Sequence, residues 1–289
     1  MTGAFNDRPE SLTIDGVDVP RFLYGTAWKE DQTERLVELA IEQGFRGIDT
    51  ANQRRHYHEA AVGKAISASI GKGIVIRDDL FLQSKFTFRR GQDHRLPYDP
   101  EASIAIQVEQ SLASSLKHLG TERIDSFLLH GPENSVGLTS NDWAAWRAME
   151  AIHDSGRARI IGISNVTLDQ LRCLLQESRV RPRMVQNRCF AIQGWDRQVR
   201  EFCAANDLVY QAFSLLTANR KTLASSELTR IAERNGRTAP QIVFRFALQV
   251  GMIPLTGTTS ADHMHEDLGV FEFSLNAAEV ERIEGLESR

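Results

Sequence analysis

Eight short apolar runs, separated along nearly the whole chain by longer stretches of helical periodicity, constrain this sequence more than any other feature. The runs are Phe22–Gly25, Gly47–Asp49, Leu80–Lys85, Ile124–His130, Ile160–Ser164, Met184–Asn187, Leu208–Ala212 and Met252–Leu255. Between them lie helix-period segments such as Asp31–Gln43, Glu59–Ser69, Pro100–Leu119, Asp142–Ser155, Leu168–Glu177, Gln198–Ala205 and Ala239–Val250. In Pro100–Leu119, Ile104, Val108, Leu112, Leu116 and Leu119 recur at spacings of three and four, one face of a helix. Thr167 and Asn141 stand where N-caps are expected. Strands alternating with helices form parallel sheets, because parallel neighbours need a crossover connection. No Pro/Gly/Ser-rich linker divides the series, so the pattern predicts one (β/α)₈ TIM barrel spanning residues 1–289. A doubly wound sheet would carry a Gly-rich turn after its first strand, and none is there. Two pieces fall outside the repeat. Asp15-Gly16, between alternating residues at about 12–19, signals a β-hairpin ahead of the barrel, placed to plug its bottom. Residues of about 275–287 read as an extra C-terminal amphipathic helix.

Composition narrows the function classes. The 289 residues carry 34 basic and 38 acidic side chains, a net charge of −4, which argues against an electrostatic nucleic-acid binder. No stretch reaches the roughly 18 apolar residues that span a bilayer, and the first ten residues lack a signal-peptide pattern. Cys173, Cys189 and Cys203 have no metal-type or disulfide-framework spacing. The expectation is a cytoplasmic protein without a bound metal.

Barrel active sites are built at the C-terminal ends of strands. Asp49, Lys85 and His130 stand at such ends, and Tyr57 lies in the loop after the second strand. A lysine withdrawn from water needs a counter-charge, which Asp49 could supply. Its ammonium would favour a nearby phenolate and lower the Tyr57 pKa, making Tyr57 a proton donor to an oxygen gaining negative charge. A neutral His130 could hold that oxygen. The set lacks a nucleophile and suits polarising a carbonyl while a cofactor carries hydride.

At this point the chain resembles the aldo-keto reductases over nearly its whole length. The matching segments are Gly25-Thr26-Ala27-Trp28, Gly47–Ala51 followed by Glu59–Gly63, Leu80–Lys85, Ile124–His130, Gly162–Asn165, Val185–Asn187 and Ile253–Thr256, in the family's order. The resemblance implies NADPH-dependent reduction of an aldehyde, ketone or imine, with the family's tetrad on Asp49, Tyr57, Lys85 and His130. It implies that Ser164, Asn165 and Gln186 hold the nicotinamide carboxamide and that Phe213 stacks on its ring. It assigns Gly25, Thr26, Asp49, Ser214, Leu215, Arg220, Thr256, Gly257, Thr258, Ser260, Glu266 and Asp267 to the rest of the cofactor. Trp28, His56, Phe86, Phe88 and Gly131 fall on the substrate pocket. The resemblance also implies a monomer.

Three departures stand out. The loop from Asp49 to Glu59 is two residues longer than the family's spacing, whose count lands on Arg54 or His56; Tyr57 is the one tyrosine in the loop. A Trp usual after the histidine is Gly131, which should reshape the pocket. The eighth strand has Leu255 where a lysine usually meets the 2′-phosphate of NADPH, and His263 replaces a typical arginine, so NADH is the alternative cofactor. The run Thr256–Ser260 reads equally as a phosphate cradle or a plain helix cap. Arg54, Arg55, Arg89 and Arg90 flank the mouth, where an anionic substrate is one reading and ordinary solvation the other. Two further readings stay open: a nucleotide-binding sensor without turnover, and a non-redox barrel using Tyr57 and His130 for proton transfer alone.

Overall fold

The computed structural model describes residues 11–286. The N-terminal segment inspected for a signal peptide and the last residue of the expected C-terminal helix lie outside the described residues. Strands β1 (Ser11–Ile14) and β2 (Val17–Pro20) pair antiparallel across Asp15-Gly16. Both turn residues have positive φ, 48° and 76°, the conformation a two-residue hairpin turn demands and the reason for Asp-Gly here.

Eight parallel strands follow: β3 (Leu23–Gly25), β4 (Gly47–Asp49), β5 (Phe81–Phe86), β6 (Ile124–Leu129), β7 (Ala158–Ser164), β8 (Met184–Arg188), β9 (Val209–Phe213) and β10 (Met252–Thr256). They pair in chain order, and β10 closes on β3, giving the (β/α)₈ barrel. The intervening helices include Thr33–Glu42, Glu59–Gly71, Ile104–Leu119, Ser140–Asp154, Leu168–Glu177 and Ala239–Gln249. Thr139, not Asn141, caps Ser140–Asp154. Its Oγ1 accepts from the Asp142 amide at 3.1 Å, and the Asp142 carboxylate accepts from the Thr139 amide at 2.7 Å. Asn141 already lies inside the helix and cannot make that reciprocal pair. The C-terminal helix Ala277–Glu284 is tied on through Trp195, whose indole N–H donates to the Ile283 carbonyl at 3.0 Å.

Strand alternation creates two apolar regions. Outward residues such as Phe86, Phe127 and Ile163 pack beneath the helices. Inward residues at the bottom, among them Leu23, Phe81, Ile160 and Met184, join Ile14, Val17 and Val19 of the hairpin, which closes that end. Higher in the barrel the interior turns polar, with Gln83, Ser126, Gln186 and Gln211 buried side by side. A protein interior filled with amides at one end and hydrocarbon at the other has its chemistry at the polar end.

Gly63 sets how closely Glu59–Gly71 approaches Ile104–Leu119: a Cβ there would lie 2.0 Å from the His118 carbonyl oxygen and 2.9 Å from the Leu119 Cα. Helix propensity alone favours alanine by about 1 kcal/mol, but backbone cannot swing aside as a side chain can. Gly63→Ala is therefore expected to lower stability by about 1–3 kcal/mol, read from the urea midpoint; a stabilised variant would show that the two helices have slack.

Candidate active site

Alternation along β5 sends consecutive side chains to opposite sides. Ser84 faces outward and donates to Glu59 Oε1 at 2.5 Å, while Ser115 donates to Glu59 Oε2 at 3.0 Å. This fixes the start of helix Glu59–Gly71 to the back of the strand. Lys85 faces inward and is fully buried, its Nζ 2.6 Å from Asp49 Oδ1 and 2.9 Å from the Thr50 carbonyl. Asp49 Oδ1 also accepts from Gln83 Nε2 at 2.7 Å and Gln186 Nε2 at 3.0 Å. The carboxylate thus gathers three donors from β5 and β8. Burial pulls the Lys85 pKa below the usual lysine range, and the charges of Asp49 and Glu59 oppose that shift.

The longer loop is absorbed in one turn. Tyr57 N donates to the Gln53 carbonyl at 3.0 Å and His56 N to the same oxygen at 3.1 Å, so Arg55 swings out to solvent. Gln53 is itself anchored: its Nε2 donates to the Gly91 carbonyl at 2.7 Å, and its Oε1 lies 2.8 Å from His56 Nδ1. The turn returns the chain so that the Tyr57 ring lies 5.5 Å from Lys85 Nζ and 6.0 Å from the His130 ring, edge to face. The expected lowering of the Tyr57 pKa is corrected here. Burial, and secondarily the negative charge of Asp49, push the phenol above its ordinary range, so Tyr57 holds its proton firmly.

His130 is pushed down to about 3, first by burial and then by the charges of Lys85 and His56. The imidazole is neutral at ordinary pH, its Nδ1 2.6 Å from Thr87 Oγ1. In front of it opens a cavity of about 840 Å³ whose walls include His130, Gly131, Phe88, Gln53, Arg90 and Asn165. Of the residues expected on the pocket, Gly131 and Phe88 line this cavity. Trp28 stands at the rim, 68% exposed and stacked on His56 at 3.8 Å. Phe86 does not line the pocket: it follows inward-facing Lys85, points outward, and is fully buried against Phe88 and Tyr98.

Of the residues that the resemblance assigned to a cofactor, Gly25, Asp49, Ser164, Gln186, Phe213 and Thr256 stand on the barrel strands β3, β4, β7, β8, β9 and β10. Thr26 Oγ1 donates to the Asp49 carbonyl at 3.0 Å and Ser164 Oγ to the Gln186 carbonyl at 2.6 Å. Asn165 takes a left-handed φ of 52° and donates to the His130 carbonyl at 2.8 Å. Phe213 ends β9 half-buried, followed by left-handed Ser214, whereas the Leu215 side chain is buried in the outer core. Arg220 is exposed on a short helix. Ser260 caps Ala261–Leu268, its Oγ accepting from the His263 amide at 3.4 Å. Lys29 donates to the Gly257 carbonyl, and Tyr24 donates to the Thr258 carbonyl at 3.0 Å. A Cβ on Gly257 would sit 3.3 Å from Lys29 Nζ and 3.5 Å from the Gly25 carbonyl, so a side chain there would press on Lys29. Glu266 is half-buried; Asp267 is buried, and burial raises its carboxyl to about 7 against the hydrogen bond from Thr256.

Several polar residues escaped the reading of the sequence. Gln83 and Gln211 bond each other and hold the Asp49 cluster from below; the signal was a glutamine two residues before Lys85, on the same inward face. Thr87, the partner of His130, had no signal, because that contact joins two loops. No His/Cys/Asp/Glu cluster suited to a metal occurs among the described residues, and no helix among them is long and apolar enough to cross a membrane.

Comparison with known proteins agrees with this architecture. Residues 22–288 match the model of the aldo/keto reductase family. The chain is 32% identical to the aldo-keto reductase family 1 member C1 of Macaca fuscata fuscata, covering 94% of this chain and 90% of that one. It is 28% identical to the oxidoreductase YtbE of Bacillus subtilis, with the same coverage of each. A crystal structure of an aldo/keto reductase from Brucella melitensis superposes with a TM-score of 0.80 at 27% identity, covering 96% of this chain and 99% of that one. The chain belongs to the aldo/keto reductase family, a family of oxidoreductases acting on small-molecule carbonyl compounds.

Burial of His130 carries a stability signature. Between the ordinary value of 6.5 and the folded value of about 3, the unfolded chain binds a proton that the folded chain refuses. Stability present above 6.5 is therefore lost as pH falls through that window. His130→Asn should flatten the pH dependence of the urea midpoint across it; an unchanged slope would mean that the imidazole titrates normally in the fold.

Proposed function

We propose that this chain reduces the carbonyl of an aldehyde or ketone with NADPH, NADH being the alternative donor, through Tyr57, Lys85, Asp49 and His130. The observation that carries the reading is the convergence of the Tyr57 ring on the buried Lys85–Asp49 pair and on neutral His130. A nicotinamide nucleotide would supply the hydride. Ser164, Asn165 and Gln186 stand on adjacent strand ends; their N–H and O–H groups are already given to neighbouring residues, so their side-chain oxygens would accept from the carboxamide N–H groups, and Phe213 offers a flat ring for stacking. The segment at Gly257, with Lys29 beside it and the capped start of Ala261–Leu268 following, suits the phosphates, with Thr256, Thr258 and Ser260 at hand. Gly25, Thr26 and Ser214 line the way between, Leu215 contributes through its backbone, and Arg220, Glu266 and Asp267 serve the adenosine end.

The chain's own groups then have separate duties. Thr87 Oγ1 lies 2.6 Å from His130 Nδ1; with the hydroxyl as donor in that pair, Nε2–H is left to hold the carbonyl oxygen and polarise it. Tyr57 gives its proton to that oxygen as negative charge develops. Its raised pKa serves this step: the phenol stays protonated until it meets an oxygen more basic than itself. The ammonium of Lys85, 5.5 Å from the Tyr57 ring centroid and kept in place by Asp49, would offset the charge of the phenolate left behind.

Tyr57→Phe keeps the ring and removes the proton. Reduction should fall by roughly a hundred- to ten-thousand-fold, while NADPH affinity, followed by quenching of intrinsic fluorescence, stays within a few-fold of wild type. Wild-type turnover across a panel of carbonyls would remove Tyr57 from the chemistry. Tight NADPH binding with no oxidation by any carbonyl would instead favour a sensor.

A further inference from the structure

Two neighbouring arginines at the mouth have different fates. Arg89 turns outward to Glu101, Nη1 to Oε1 at 3.7 Å, and both are largely exposed. Arg90 turns across the cavity and donates from Nη2 to the Pro132 carbonyl, on the loop that carries His130. No carboxylate lies within ion-pair distance of Arg90 among the described residues, and none of the cavity-lining residues is acidic. With His130 neutral, Arg90 is the one formal charge on the wall. A guanidinium has five N–H donors in a planar fork. The bond to Pro132 uses one side of it and fixes the plane, leaving the other donors to a ligand.

We propose that this site is built for carbonyl substrates that carry a carboxylate, and that Arg90 is the residue that selects them. The inference rests on the reading of the site as a carbonyl-reducing centre. Pro132 follows His130 by two residues, which span at most about 7 Å, so the anion and the reacting carbonyl belong to one small molecule. Gly131 supports the same geometry. A side chain there would crowd Asn165, whose Cβ would be 3.3 Å away, and would take up part of the cavity that His130 and Arg90 share. Gln53, Asn134 and Ser135 add neutral polar contacts, which tolerate a carboxylate where an acidic lining would repel it. Arg90 is exposed at the mouth of an open cavity, so water weakens its pull; what selects the anion is a fixed guanidinium fork with no competing carboxylate on the wall.

The test compares meta- and para-carboxybenzaldehyde with the matching carboxamides, using the full chain and NADPH. Wild type should favour the acid over the amide by about tenfold or more in kcat/KM. Arg90→Gln, which keeps a donor for the Pro132 carbonyl but loses the charge, should bring that ratio close to one, with the change in KM. Equal wild-type rates on acid and amide, or an unchanged ratio in the variant, would overturn the proposal. If neither aldehyde oxidises cofactor, the reductase reading fails instead. Calorimetric titration with benzoate and benzamide, NADP⁺ present, then decides the role of Arg90. Benzoate should bind more tightly, and only in the presence of the arginine; equal binding contradicts the assignment.

Discussion

A lysine and an aspartate, both withdrawn from solvent, meet at 2.6 Å where β4 and β5 end, and the upper half of the barrel is arranged around them. Neither charge could be buried alone; removing one partner of such a pair typically costs about 3–5 kcal/mol. The pair is supported by further donors and acceptors around it. Gln83 and Gln186 donate to the same carboxylate oxygen, Gln211 bonds both glutamines, and Ser126 donates to Gln83 at 2.8 Å. A network of this kind resists rotation, since turning any of these amides leaves a buried group without a partner. That rigidity gives the surrounding loops a fixed floor.

The two ends of the barrel divide stability from chemistry. At the bottom, the hairpin drives Ile14, Val17 and Val19 against the inward residues of the strands, a hydrophobic plug without polar demands. At the top, the same inward positions carry amides, an ammonium and a carboxylate. Phenol and imidazole arrive from the loops above, where a modest change in sequence moves a side chain without disturbing the sheet.

How much of this was legible depends on how local the signal was. Asp49, Lys85 and His130 could be read because each stands at a strand end, and barrel geometry alone brings strand ends to one rim. Tyr57 could not be fixed by counting, since the family's spacing points at Arg54 or His56; the turn from Gln53 to Tyr57 takes up the extra residues, and a count cannot see a turn. Phe86 was misjudged for a simpler reason. Strict alternation after inward Lys85 sends it outward, so the error lay in treating nearness along the chain as nearness to the pocket. Arg89 and Arg90 read identically in sequence, and only the path of the loop separates the one paired with Glu101 from the one that bridges to Pro132.

The account depends on Tyr57 and His130 reaching a single substrate oxygen while Lys85 stands behind the phenol. A crystal structure with NADP⁺ bound tests this most directly. It should show the phenolic oxygen of Tyr57 within hydrogen-bonding distance of Lys85 Nζ, and the nicotinamide ring beside it between Phe213 and His130. A phenol turned out toward Arg55, or a nicotinamide lodged away from the Lys85–Asp49 pair, would contradict the account at its centre.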